Sequence, residues 1–121
     1  NSRVFDSALY LIAHLHEVPV HVIPCISVDH IPDDPPRHVW PGVMGSIIPA
    51  MWSFQLALRA RGLGSVLTTL HLRCEDEAAE LLGIPDDIMQ AGLLPVAYTV
   101  GTDFKAVKRP PLDDIVHWNS W

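Results

Sequence analysis

The chain has 121 residues, with 8 Lys and Arg against 14 Asp and Glu, which gives a formal net charge of −6. That balance argues against a nucleic-acid-binding protein, because binding to backbone phosphates normally requires a basic face. Apolar residues make up 49% of the chain and charged residues 18%, so the composition excludes intrinsic disorder. We expect one folded domain over residues 1–121.

A membrane-spanning segment is not predicted either. The longest stretch without a charged residue, His38 to Leu58, is interrupted by two prolines and two glycines. The apolar run that remains, Ile47 to Leu58, is shorter than the roughly 20 residues that a spanning helix needs. Cys25 and Cys74 lie far apart without CxxC spacing, which favours neither a disulfide framework nor a zinc site and indicates a reducing cytoplasm.

The first half of the chain predicts a helix, a strand and a long loop. Apolar residues at helical spacing predict a helix over Phe5 to Glu17. The β-branched residues of 20–28 predict a strand, in which Pro24 indicates an edge position or a bulge. Residues 29–42 are rich in Pro, Asp and His and predict a loop, which is either a functional cover or a solvated connection.

The next predicted element is a helix over Ile47 to Arg61, with Ser46 as its N-cap, Pro49 in its first turn and Gly62 after its end. Apolar side chains surround this helix on nearly all sides, which is typical of a fully buried helix. A chain of this length can hardly cover one helix completely, so we expect part of its surface to contact another subunit.

The second half predicts two strands separated by a helix. The strands are expected over 65–72 and 93–100, and the acidic residues after Cys74 predict a short helix that ends before Gly83. Residues 102–121 form a tail with several large apolar side chains, which we expect to dock on this chain or on a partner. The mixture of helices and strands indicates an α+β or α/β fold.

The spacing of chemically active residues indicates little catalysis by side chains. Seven histidines are scattered without HExxH spacing, and neither a GxSxG motif nor a phosphate-binding glycine motif is present. The one local concentration of basic charge is Lys105, Lys108 and Arg109, which is either an anion contact or a solvated surface turn.

Several blocks of the chain, taken in order, resemble the FMN-dependent nitroreductase family. The first block in chain order, HEVPVHVIPC (16–25), is similar to the first core strand of that family. The four later blocks are GSIIPAMWSFQLALRARGLGSVLTT (45–69), LLGIP (81–85), LLPVAYTVGTDF (93–104) and KRPPLDDIVHW (108–118).

This resemblance implies an α+β fold with a largely antiparallel sheet flanked by helices, built as an intertwined homodimer with FMN at the subunit interface. It implies a bacterial flavoprotein that passes hydride from NAD(P)H through FMN to nitroaromatics, quinones or related acceptors. The flavin would carry the chemistry, which agrees with the lack of a catalytic triad or a metal motif.

The resemblance also assigns cofactor-binding residues. The backbone of Leu67, Thr68, Thr69 and Leu70 would lie along the flavin ring edge, with the Leu70 amide facing N5. Arg109 would hold the FMN phosphate, and Lys108 is a second candidate. On the long helix, the positions that would approach the partner's flavin are Ile48, Pro49 and Ser53.

One departure from the family pattern concerns the start of the chain. The opening segment of the family, which carries an Arg-Ser-type motif for the FMN phosphate and ribityl chain, has no counterpart in these residues. We therefore expect the chain to be the later part of a nitroreductase subunit. The alternative is a non-redox flavin-binding or structural module that keeps the fold without turnover.

Overall fold

The computed structural model describes residues 2–121, in which helices and antiparallel strands alternate irregularly along the chain. The helices are α1 (Ser2–His14), α2 (Val39–Ala60) and α3 (Glu75–Leu82). The strands are β1 (Val20–Val22), β2 (Cys25–Ser27), β3 (Leu63–Ser65), β4 (Ile88–Gln90) and β5 (Leu94–Tyr98). This arrangement is an α+β fold, as predicted.

The strands form two antiparallel sheets around a small core. One sheet has the order β1-β5-β3, and the other pairs β2 with β4. Leu94 of the central strand β5 is completely buried and packs with Ile47 and Met51 of α2. Helix α2 therefore covers the sheet with one stripe of side chains, spaced four residues apart as a helix requires.

The predicted strand over 20–28 is divided at Pro24. Its first part, β1, pairs with β5, whereas its second part, β2, pairs with β4 in the other sheet. The Pro24 carbonyl still accepts a hydrogen bond from the Ala91 amide at 2.8 Å, but the proline has no N–H to contribute. The prediction of strand structure is confirmed, and the interruption falls at the proline.

The predicted start of α2 was wrong. The helix begins at Val39, so the predicted loop 29–42 is shorter, and Ser46 lies inside the helix rather than at its N-cap. The Ser46 hydroxyl donates to the Gly42 carbonyl at 3.1 Å, which is the i−4 bond of a serine within a helix. Pro41 occupies the first turn, where a missing N–H costs nothing, and Pro49 lies in the helix interior.

The predicted strand over 65–72 was also wrong in its extent. Strand β3 ends at Ser65, one isolated bridge joins Thr68 to Leu93, and residues 70–74 form a 3-10 turn. The bridge keeps the same register as the β3–β5 pairing, so the Val66 position lies opposite Pro95. The strand is therefore interrupted in the middle, not shifted.

Pro95 explains this interruption. The Thr68 and Leu93 amides each donate to the carbonyl of the other, at 3.0 and 2.8 Å, so these two residues form a hydrogen-bonded pair. Such pairs alternate along an antiparallel ladder, which makes Val66 and Pro95 the next one. Because proline has no N–H, the bond to the Val66 carbonyl cannot form and the ladder opens at this point.

The remaining predictions have mixed outcomes. Helix α3 is confirmed, with Gly83 ending it at a positive φ of 67°, and the last predicted strand is confirmed as β5. Strand β4 was not predicted. In the described part of the tail the only helical element is the short turn Leu112–Asp114, and Trp118 and Trp121 are exposed, so most of the tail is not docked on its own chain.

Replacing Pro95 with Ala should close the ladder. The new amide would face the Val66 carbonyl, so we expect its hydrogen exchange to be slowed to a rate close to that of the Leu93 amide. Exchange measured by NMR on the Pro95→Ala variant tests this, with the Lys105 amide in the exposed tail as the unprotected reference. If the new amide of the variant exchanges as fast as that of Lys105, another cause opens the ladder.

Candidate functional site

The opened segment after β3 forms one wall of a groove of about 470 Å³, called here the 66–70 groove. The opposite wall is α1, whose side chains run along the groove over nearly the whole length of the helix. The groove is lined by Val4, Ser7, Ala8, Tyr10, Leu11, His14, Val18, Val66, Leu67, Thr68 and Leu70. Most of these side chains are apolar and a few polar groups lie among them, which is the usual composition of a small-molecule site.

The two hydrogen bonds between Thr68 and Leu93 anchor the segment from Leu67 to Leu70 to the residue that directly precedes β5. The Leu70 amide donates only to the Thr68 hydroxyl, at 3.4 Å, which is a long hydrogen bond. Leu70 lines the groove, and its amide keeps the capacity for a stronger hydrogen bond than this one. Thr69, between them, ends the extended segment and precedes the 3-10 turn.

Gly92 allows this backbone to approach the core. A Cβ atom on Gly92 would lie 2.7 Å from Leu67 Cδ1 and 3.2 Å from Met51 Cε. The lack of a side chain at this position lets the Leu67 side chain and the Thr68 carbonyl pack closely on Gly92, beside Met51 of α2. The groove wall is thus positioned from both sides, by the bridge to Leu93 and by close packing on Gly92.

The structure places the predicted site residues in three separate regions. Leu67, Thr68 and Leu70 line the 66–70 groove, and Thr69 lies within the same segment. Those on α2, namely Ile48, Pro49 and Ser53, are exposed on the surface of the helix away from the core stripe. Lys108 and Arg109 are exposed in the tail. A single described chain therefore brings together only the residues of the 67–70 segment.

A second groove, of about 580 Å³, adjoins the first and is called here the Arg59 groove. It lies between the end of α2, strands β3 and β5, and the beginning of the tail. The two grooves share four lining residues, Tyr10, Leu11, Val18 and Val66. Arg59 and Phe104 line the second groove. Sequence reasoning missed both residues, since no periodicity connects the end of a helix with a tail residue that far along the chain.

Two of the polar side chains that line the 66–70 groove, Tyr10 and His14, contact each other on α1. His14 Nδ1 lies 3.0 Å from Glu17 Oε1, and the His14 ring stacks on Tyr10 with 4.1 Å between ring centroids. The groove lining contains no Lys or Arg among the described residues. A ligand with a phosphate group would therefore need its cation from outside this groove.

Among residues 2–121, the two groups whose pKa is clearly displaced do not line the 66–70 groove. Burial raises the pKa of the Cys25 thiol, and the Glu75 carboxylate raises it further. Hydrogen bonds from His30 and from the Ser27 hydroxyl lower the pKa of the exposed Asp29 carboxyl. Neither group provides acid–base chemistry at the groove.

The described residues hold neither a metal-binding cluster nor a membrane-spanning helix. Over residues 2–121 no group of three His, Cys, Asp or Glu side chains is arranged to hold a metal ion. Within the same range, no helix combines the length and the hydrophobicity needed to cross a membrane.

The fold and the groove define an α+β protein with a mostly apolar groove beside an opened sheet edge. A sequence model of the nitroreductase family matches residues 4–98, which include every α-helix and strand except the first two residues of α1. The chain therefore belongs to the nitroreductase family, a family of flavin-dependent oxidoreductases. No curated protein shows a significant match to the chain. Lys108 and Arg109 lie beyond the matched residues.

The 66–70 groove is suited to a flavin in its shape and its chemistry. A flavin combines a flat aromatic ring with a polar edge, and the groove offers apolar walls together with the Leu70 amide and the Thr68 hydroxyl. Among the described residues that line the groove there is no Asp, Glu, Lys or Arg. The residues present therefore fit the ring portion of the cofactor.

Proposed function

We propose that this chain binds FMN in the 66–70 groove and forms part of an oxidoreductase that uses NAD(P)H to reduce nitroaromatics, quinones or related acceptors. The observation that carries the proposal is the Leu70 amide: Leu70 lines a groove of about 470 Å³, and its N–H makes only a long hydrogen bond to the Thr68 hydroxyl. Membership of the nitroreductase family supports the redox class.

The bound flavin would supply the hydride chemistry, and the side chains of this protein would bind and orient it. The Leu70 amide would donate a hydrogen bond at the ring edge, where it stabilises negative charge on the reduced ring. Val66 and Leu67 would cover the ring face and exclude water. These interactions are backbone and packing contacts, which explains why no catalytic triad is needed.

The phosphate of FMN would be held by the basic tail. The groove wall has no cation of its own among the described residues, whereas Lys105, Lys108 and Arg109 follow closely after Phe104 at the neighbouring Arg59 groove. A guanidinium binds phosphate through two parallel hydrogen bonds, so Arg109 is the preferred ligand and Lys108 the second.

Replacing Arg109 with Ala should weaken FMN binding selectively. We expect a loss of about 1.5 to 3 kcal/mol in FMN affinity, the scale of a charge-assisted hydrogen bond. Riboflavin, which has the same ring without the phosphate, should bind equally well to both proteins. Quenching of flavin fluorescence gives both affinities. If FMN binds equally tightly with and without Arg109, the basic cluster is only a solvated turn.

The competing interpretation is a flavin-binding or structural module without turnover. Titration of the chain with FMN, followed by addition of NADH or NADPH and a quinone, separates the two functions. Micromolar flavin binding with oxidation of the nicotinamide supports the oxidoreductase. Binding without oxidation would favour the non-redox module.

We further propose that two copies of the chain associate through α2. This helix exposes a stripe of large apolar side chains, Ile48, Trp52 and Leu56, which are 48%, 62% and 54% exposed. The stripe lies beside the buried one and has the same four-residue spacing, so it is suited to pack against a second helix. In such a dimer, Ile48, Pro49 and Ser53 would approach the partner's flavin.

Analytical ultracentrifugation tests the dimer. We expect the unmodified chain to sediment as a dimer and the Trp52→Glu variant to sediment as a monomer, because a charge would be buried in the interface. The matched control is Leu81→Glu, on α3, where the side chain is 85% exposed. A soluble monomer at all concentrations of the unmodified chain would contradict the proposal.

A further inference from the structure

Arg59, near the C-terminal end of α2, contacts the beginning of the tail in two ways. Its Nη2 atom donates to the Thr102 carbonyl at 3.3 Å, and its guanidinium carbon lies 4.5 Å from the centre of the Phe104 ring. A cation over an aromatic ring and a hydrogen bond to a carbonyl fix both the position and the direction of the chain between these two residues.

The tail is itself bent where Arg59 holds it. Gly101 has a positive φ of 80°, which suits a residue without a side chain, and the Thr99 hydroxyl donates to the Gly101 carbonyl at 2.8 Å. The Phe104 amide donates to the same Thr102 carbonyl that Arg59 contacts, at 3.1 Å. The carbonyl thus joins the turn to the helix, and the turn leads directly from β5 to Arg59.

The basic cluster begins immediately after this contact. Lys105 is the next residue after Phe104, and every residue from 105 to 115 is exposed. Arg109 lies five residues beyond Phe104, and five residues of extended chain span at most about 17 Å. Arg109 can therefore reach only a limited volume around the Arg59 groove, which shares four lining residues with the 66–70 groove.

Among the described residues, no carboxylate competes with the tail for contact with the Arg59 guanidinium. Within residues 2–121 the close contacts of carboxylates with basic side chains all involve histidines, and Arg59 is in none of them. Its neighbour Arg61 differs, because Nη1 of Arg61 donates to the Ala57 carbonyl of the same helix at 3.3 Å. The two arginines at this helix end therefore make different contacts: Arg59 donates to the tail, and Arg61 donates to its own helix.

We propose that Arg59 is a positioning residue for phosphate binding: its contacts with Thr102 and Phe104 hold the origin of the basic tail, so that Arg109 stays close to the FMN phosphate. This inference rests on the proposed function. Without the contact, the tail samples a larger volume and the effective concentration of Arg109 at the phosphate falls. Arg59 itself touches no cofactor atom in this scheme.

The test compares FMN with riboflavin on four forms of the chain: unmodified, Arg59→Ala, Arg61→Ala and Arg109→Ala. We expect Arg59→Ala to weaken FMN about threefold to tenfold, the scale of one exposed cation–π contact and one hydrogen bond. Riboflavin affinity should not change. Arg61→Ala removes the same charge from the same helix end without touching the tail, so it should bind both flavins like the unmodified chain.

Two further variants show whether a loss of FMN affinity comes from the contact with the tail or from a folding defect. Phe104→Leu removes the ring from the tail side and should reproduce the selective loss of FMN affinity. Arg59→Ala combined with Arg109→Ala should be no weaker than Arg109→Ala alone, because Arg59 acts only through Arg109.

The outcomes separate the two ideas. If Arg109→Ala weakens FMN selectively while Arg59→Ala leaves both flavins unchanged or weakens both equally, the positioning role is wrong and the phosphate assignment stands. If Arg109→Ala does not distinguish FMN from riboflavin, the phosphate assignment fails and the inference fails with it.

Discussion

Strand β5 runs between β1 and β3, and at Pro95 it has no N–H to donate toward the β3 side. On the β1 side the ladder is unaffected, because the bonded positions there are the two residues that flank the proline. On the β3 side the pairing stops after Ser65 and resumes only at the Thr68–Leu93 bridge. The segment between these points is anchored at both ends and unpaired in the middle. The wall of the 66–70 groove depends on this one missing donor.

In the function we propose, the two grooves would divide the binding of a phosphorylated flavin between them. The 66–70 groove has apolar walls, a backbone amide and no cation among its lining residues, which suits an aromatic ring. The Arg59 groove carries the beginning of the tail, and the tail carries the basic cluster of an otherwise acidic chain. With the phosphate held outside it, the ring site would need no charged side chain, and a bound ring that excludes water would strengthen a hydrogen bond from the Leu70 amide.

Much of the fold could be predicted from the sequence, and the errors have physical causes. Helix α3 was predictable because its acidic first turn and Gly83 are local signals. The start of α2 was not predictable in this way. Pro41 lies in the first turn, where the missing N–H costs nothing, whereas Pro49, which suggested a later start, lies inside the helix. The interruption after β3 is caused by Pro95, which is distant in sequence and faces it only through register. The importance of Arg59 likewise depends on a contact 43 residues along the chain.

The central claim is that a flavin lies along the backbone of residues 67–70, and chemical-shift mapping tests it most directly. The chain labelled with ¹⁵N-leucine reports on the Leu67, Leu70 and Leu93 amides during titration with FMN, with Leu81 of α3 as an internal reference far along the chain. We expect the Leu70 amide to shift most, Leu67 to shift with it, and Leu81 to stay unchanged. Saturable FMN binding that leaves Leu67 and Leu70 unshifted would contradict the account.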